Sequence, residues 1–288
     1  MIGRRPSIRV DLRAILIALL ALTLITGGFL LNHQHGAPKQ LSAKAAIAAD
    51  PPPTLFPEAA IKPTEAEISA VRADAAARLR TWVAQHGTRP DDVEFVTWVE
   101  QTFPGPPLDL AAQMPRLVAL SHTRTTNGVK ASTWLETHGK KDIWKLYAHD
   151  QRELLGSADA GSLKNAEKQV LAMSKQIADA LGARFGSSAP YVRRPSLRPD
   201  HQVTSGQKCP CSYPSRHAAA GAASETLLGH LQPRLDAQYR YLEAEIDYSR
   251  IYMAGHFPAD VTAGALLGDL IGDYVLVTRE GVPPETLT

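Results

Sequence analysis

Apolar positions along this chain recur mostly at three- and four-residue spacing, and strict alternation never runs for long. That pattern predicts helices, not strands. The first amphipathic stretch starts at Thr64, with Glu65 and Glu67 in its first turn. Ile68, Val71, Ala75, Leu79, Trp82 and Val83 share one face, and Gly87 ends it. A shorter helix is predicted over 91–101, and Phe103-Pro104-Gly105-Pro106-Pro107 then breaks the chain. Residues 108–160 read as mixed, with helical pieces over 108–121 and 142–155. A strong helix over 162–185 carries Val170, Met173, Ile177 and Leu181 as a core stripe. A long loop rich in Pro, Arg and Ser follows over 186–214. Three more helices are predicted, from Ser215 to about Leu231, from Arg234 to Met253 and from Pro258 to Thr278.

One apolar run stands apart. Ala14 to Leu31 has 18 residues without a charge, preceded by Arg4, Arg5, Arg9 and Arg13. It is the one segment read as reaching membrane length. It is long for a cleaved signal and lacks a small-x-small site directly after it, so it reads as a retained signal anchor rather than a signal peptide. That orientation leaves the body periplasmic or extracytoplasmic, held to the inner membrane by an N-terminal helix. Residues 32–62, with Pro51-Pro52-Pro53, read as a linker. The expected organisation is thus 1–31 anchor, 32–62 linker, 63–160 N-terminal helical part and 161–280 catalytic core, in an all-α chain.

Charge narrows the partners. The whole chain is +2, but outside the first 31 residues 27 basic residues face 28 acidic ones. A near-neutral body offers no stripe for nucleic acid. The two cysteines, Cys209 and Cys211, are separated only by Pro210 and read as small loop residues, not as a metal site or a bridge. His122, His138 and His149 read as surface or loop histidines.

Chemistry concentrates in two segments. In Tyr213-Pro214-Ser215-Arg216-His217, Ser215 is a natural N-cap, and the free amides of a first helical turn attract anions. His217 lies in that turn, beside any anion held there. In the second segment, Ser249-Arg250 precedes His256 by five residues, and Asp260 follows four later. Arg250 offers a fork for phosphate oxygens. A carboxylate at Asp260 can fix the tautomer of His256 and leave the other ring nitrogen for chemistry.

Pro-Ser-x-His followed by Ser-Arg-x5-His-x3-Asp resembles the phosphatidic acid phosphatase type 2 superfamily, which includes class A acid phosphatases and vanadium-dependent haloperoxidases. The resemblance covers roughly residues 160–278. It implies a helical bundle with the site at one end. It also implies phosphomonoester hydrolysis, without metal, through a phosphohistidine: His256 as nucleophile, Asp260 orienting it, His217 as general acid. Ser215, Arg250 and the amides near position 216 would hold phosphate oxygens. No cofactor is implied, and vanadate enters as an inhibitor or, in the haloperoxidase alternative, as the bound group. A non-catalytic phosphate- or phospholipid-binding protein is the other alternative. The expected partner is a phosphorylated small molecule or a lipid phosphate, with the membrane reached through residues 14–31.

The family's first motif, Lys-x6-Arg-Pro, is broken here. Setting Pro190 on its proline puts Gly182 and Ala189 at the two cations. Setting Arg194-Pro195 or Arg198-Pro199 on the Arg-Pro puts Ser187 or Tyr191 at the lysine. Arg216 stands where the family usually has Gly. The expectation is that Arg216, with Arg184, Arg193 or Arg194, replaces the missing charges.

Overall fold

The computed structural model describes residues 41–154, 157–200 and 211–287, the side chains of 150–160 apart. The chain divides into Met1–Ser42 and a compact unit, Ala43–Thr288. The predicted anchor at 14–31 lies outside the described residues. The compact unit begins inside the predicted linker. The Asp50 carbonyl accepts from the Trp134 indole, and Phe56 is buried in the core. No boundary separates 63–160 from 161–280 within this unit.

The regular structure of the described residues is all helical, with no strand and one isolated antiparallel bridge between Ser188 and Cys211. In chain order the helices are α1 (Ala43–Ala49), α2 (Glu58–Ser69), α3 (Arg72–His86), α4 (Asp92–Thr102), α5 (Met114–His122) and α6 (Thr126–His138). They continue as α7 (Asp142–Leu154), α8 (Ser157–Phe185), α9 (Pro190–Arg193), α10 (Arg216–Leu231), α11 (Asp236–Tyr252) and α12 (Pro258–Arg279). The single amphipathic stretch predicted from Thr64 is therefore two helices, α2 and α3, broken at Ala70–Val71. Helix α6 was not foreseen. Its Thr, Ser, Asn and Gly content is poor for helix in isolation. Burial of Ala131, Trp134 and Leu135 outweighs that deficit, and the Thr125 hydroxyl caps it by accepting from the Gly128 amide.

Helix α12 runs through the middle of the bundle. It is long and apolar enough to cross a membrane by length and composition, so the anchor is not alone in reaching that length. Its apolar window is 89% buried among the other helices. Val261 and Ala265 join the core around Phe56, Trp144 and Phe257, whereas Leu267, Leu270 and Tyr274 join the core around Trp82 and Phe95. An apolar helix inside a bundle needs no lipid, since its neighbours cover it.

Helix α10 packs on α12 more extensively than any other pair of helices. Gly264, Gly268 and Gly272, four residues apart, make that approach possible. A Cβ on Gly268 would lie 2.4 Å from the Ala219 carbonyl oxygen and 2.6 Å from the Ala222 Cβ. One on Gly264 would lie 2.4 Å from the Ser215 carbonyl oxygen. The Ser215 amide donates to the Asp260 carbonyl at 2.8 Å. The two predicted motif segments are thereby locked together at one end of the bundle.

Candidate active site

Four helix ends and one loop converge there. A cavity of about 150 Å³ is lined by His217 from the start of α10 and Arg250 from the end of α11. His256 lines it just before α12, Glu136 from the last turn of α6, and Tyr191, Arg198 and Cys211 from the 186–214 segment.

His256 Nδ1 lies 2.8 Å from the Ser212 carbonyl oxygen. A carbonyl only accepts, so Nδ1 carries the proton and Nε2 keeps its lone pair. Burial, and then the Arg250 guanidinium, push the His256 pKa down to about 4. His217 Nε2 lies 3.0 Å from the Glu136 backbone carbonyl, which fixes the opposite tautomer, with the lone pair on Nδ1. Burial and Arg250 hold His217 well below the ordinary imidazole range. Both imidazoles are thus neutral near pH 7.

Arg250 is 5% exposed and aimed by three contacts. Its Nη2 donates to the Ser132 carbonyl at 2.8 Å, its Nε donates to the Ser249 hydroxyl at 3.0 Å, and its Nη1 lies 3.4 Å from Glu136 Oε2. Arg198 is the second guanidinium of the cavity, with its carbon 5.9 Å from the Tyr191 ring centre. Arg198 depresses the pKa of both Arg250 and Arg124, behind burial in each case. Cations that disfavour one another across a small space make a field suited to an anion.

The predicted site residues divide. His217, His256 and Arg250 come together in the cavity. No hydrogen bond joins Asp260 to His256 among the described residues. The Asp260 Oδ2 accepts from the Phe257 amide at 2.8 Å, in the first turn of α12, and burial pushes its pKa up to about 6. Its Oδ1 is buried without a hydrogen-bond partner among the described residues, and the Ser212 hydroxyl lies 3.5 Å from the Ser187 carbonyl oxygen. Ser215 is fully buried and spends its oxygen capping α10, accepting from the Ala218 amide at 3.3 Å.

The expected replacement arginines lie elsewhere. Arg216 Nη1 pairs with Asp179 at 3.2 Å, outside the cavity lining. Position 216 follows the cap, and its side chain leaves the helix towards α8. Arg184 donates to the Glu100 carbonyl and stacks on Phe185, in a separate groove. Arg194 is exposed, with its Nε 3.4 Å from the Ser196 hydroxyl, and Arg193 lies over the Phe257 ring. The cation that does reach the cavity is Arg198, from the register Tyr191-x6-Arg198-Pro199. Tyr191, seven residues before Arg198, lines the same cavity.

Sequence reasoning missed Glu136 because α6 was unforeseen, and the 125–138 stretch carries no spacing signal for it. It also misread two other residues. His138 is buried between Asp50 (3.0 Å) and Asp142 (3.2 Å), not on the surface. Cys211 is disulfide-bonded; the chain's other cysteine, Cys209, lies outside the described residues. The Cys211–Ser188 bridge and the Ser212 amide's bond to the Ser187 carbonyl at 2.9 Å hold the loop that presents the Ser212 carbonyl.

Residues 170–280 match the PAP2 superfamily. The matched span contains His217, Arg250, His256 and Arg198. Among curated proteins, no match was found.

Proposed function

We propose that this protein is a phosphomonoesterase that transfers the phosphoryl group to His256 Nε2. The observation that carries this reading is the shared cavity of two neutral imidazoles and two guanidiniums. The nucleophile needs an unprotonated nitrogen facing the anion. The Ser212 carbonyl engages Nδ1 and leaves Nε2 for that task. Arg250 and Arg198 supply the positive charge that spreads over the equatorial oxygens as the bond to the leaving oxygen lengthens.

The steps balance without another reactant than water. His256 Nε2 forms a bond to phosphorus while the ester oxygen–phosphorus bond breaks. The leaving oxygen takes a proton from His217 Nδ1. Burial and then the Arg250 guanidinium keep His217 neutral in the free protein; a bound phosphate dianion offsets the guanidinium and so lets that nitrogen protonate. Water then attacks the phosphohistidine, giving its proton back to His217, and inorganic phosphate leaves.

The cavity is sized for a phosphate group, with the rest of the substrate outside, so small phosphomonoesters and lipid phosphates both suit it. A disulfide at Cys211 suits an oxidising compartment, which supports a body held outside the cytoplasm. The test is phosphate release from p-nitrophenyl phosphate and from a lysophosphatidate by the full chain, beside His256→Ala and His217→Ala. His256→Ala should abolish turnover and the acid-labile phosphoenzyme. His217→Ala should slow the first step by about 10²–10⁴-fold, the usual worth of a positioned acid. Equal activity in all three proteins would sink the assignment.

A further inference from the structure

A second cavity, of about 350 Å³, lies at the other end of α10 and α12 from the histidines. It begins at Glu225, eight residues along α10 from His217, roughly 12 Å of helix. Its charged lining is Glu225, Asp236, Asp269 and Asp273 against Arg72 and Arg240. Both arginines are already engaged. Arg72 holds Glu225 at 2.6 Å and Glu243 at 3.1 Å, and Arg240 pairs with Asp236.

Asp269 and Asp273, four apart on one face of α12, make no ion pair among the described residues, though the Arg72 charge acts on both carboxyls. Asp269 is 3% exposed; its Oδ1 accepts from the Thr226 hydroxyl at 2.9 Å, and its Oδ2 has no hydrogen-bond partner among the described residues. Asp273 is 5% exposed, and among the described residues its carboxyl has no hydrogen bond or ion pair. Its remaining exposure is to the cavity it lines. Like charges at this helical spacing repel. Burial pushes Asp269 up to about 6 and Asp273 well above the carboxylate range, with Asp269 adding to the latter.

We infer that this cavity binds an aliphatic diamine or polyamine, one ammonium group lying between Asp269 and Asp273. An ammonium has three donors and no acceptor, which suits carboxylate oxygens left without donors. Among the described residues no three His, Cys, Asp or Glu side chains are arranged to hold a metal ion, which favours an organic cation. Leu276, Leu287 and Pro233 give the wall an apolar side for a methylene chain. The volume falls in the range of small-molecule sites. This site is independent of the phosphatase reading, and its test needs no turnover.

The experiment is thermal unfolding of the full chain at neutral pH with putrescine, spermidine, Mg²⁺, Ca²⁺ or NaCl at matched ionic strength. Spermidine should raise Tm saturably, as binding to the folded state alone requires. Asp269→Asn/Asp273→Asn removes two buried acids whose folded-state pKa values are raised, so the variant folds no less readily. It should raise the half-saturating amine concentration by about tenfold or more, a loss of roughly 1.4 kcal/mol. An unchanged shift in that variant, an equal shift from NaCl, a larger shift from the divalent ions, or no shift with either amine overturns the inference.

Discussion

At the scale of single residues, the tautomers of two histidines organise the chemistry. Each is set by a backbone carbonyl, Ser212 for His256 and Glu136 for His217. A carbonyl orients a ring without adding a charge that would compete with phosphate. In the proposed reaction His256 attacks only when neutral, and burial holds its pKa at about 4. The kcat/KM profile of the free protein should therefore show its acidic limb at that value, well below an ordinary histidine. A limb near the unperturbed imidazole range that does not move with the substrate's own second phosphate ionisation, at about 6, would show that Nε2 is not the nucleophile. The guanidiniums give a sharper comparison. Arg198→Ala should lower kcat/KM on the order of a hundredfold, as loss of one transition-state donor does. Arg216→Ala removes only a half-exposed pair with Asp179 and should leave kcat/KM nearly unchanged.

These outcomes also mark how far the sequence could be read. The pattern from Pro214 to His217 and from Ser249 to Asp260 named three of the cavity's residues by spacing alone. It could not tell which arginine of 184, 193, 194, 198 and 216 faces the phosphate. Side-chain direction at a helix start, or in a loop of single turns, depends on what packs beside it. Asp260 is hydrogen-bonded elsewhere than expected for a related reason. A carboxylate at the third position of α12 finds the Phe257 amide of its own turn nearer than the ring of His256.

At the scale of elements, the α10–α12 pair is the frame. Small residues on both helices bring Ser215 within hydrogen-bond distance of Asp260 and hold the α10 start beside His256. Gly268→Val would drive methyl groups into the Ala219 carbonyl, which cannot rotate away. The expected cost is on the order of 3 kcal/mol, near the upper end for overpacking, read from denaturant unfolding. Activity should fall in parallel, since α10 carries His217. Helix α6 gives the opposite lesson. Its sequence argues weakly for helix, yet it supplies the Ser132 and Glu136 carbonyls that aim Arg250 and His217. Contact with α11 makes it helical, and no local pattern records that contact.

At the scale of the whole molecule, buried carboxyls set the response to pH. Glu167 and Glu245 are pushed up to about 7, Asp260 and Asp269 to about 6, and Glu243, Asp247 and Asp273 further, all chiefly by burial. A carboxyl with a raised folded-state pKa holds its proton where the unfolded chain has lost it. Stability therefore falls as pH rises from about 4 towards 7 and beyond. His217 and His256 act the other way, since their depressed values cost stability below pH of about 6.5. Seven carboxyls outweigh two imidazoles, so Tm should be higher at pH 5 than at pH 8. A Tm that rises steadily towards pH 8 would show those carboxyls to be paired in solution.

The sequence alone determined the helical class, the core stripe of α8 and the two motif segments, because each depends on neighbours within a few turns. Tertiary structure decided the rest. It chose Arg198 over Arg216, gave the orientation of His256 to a carbonyl, built α6 against its own propensity and buried α12 inside the protein. Each of these depends on which side chains from distant parts of the chain share one small volume, and packing in three dimensions decides that.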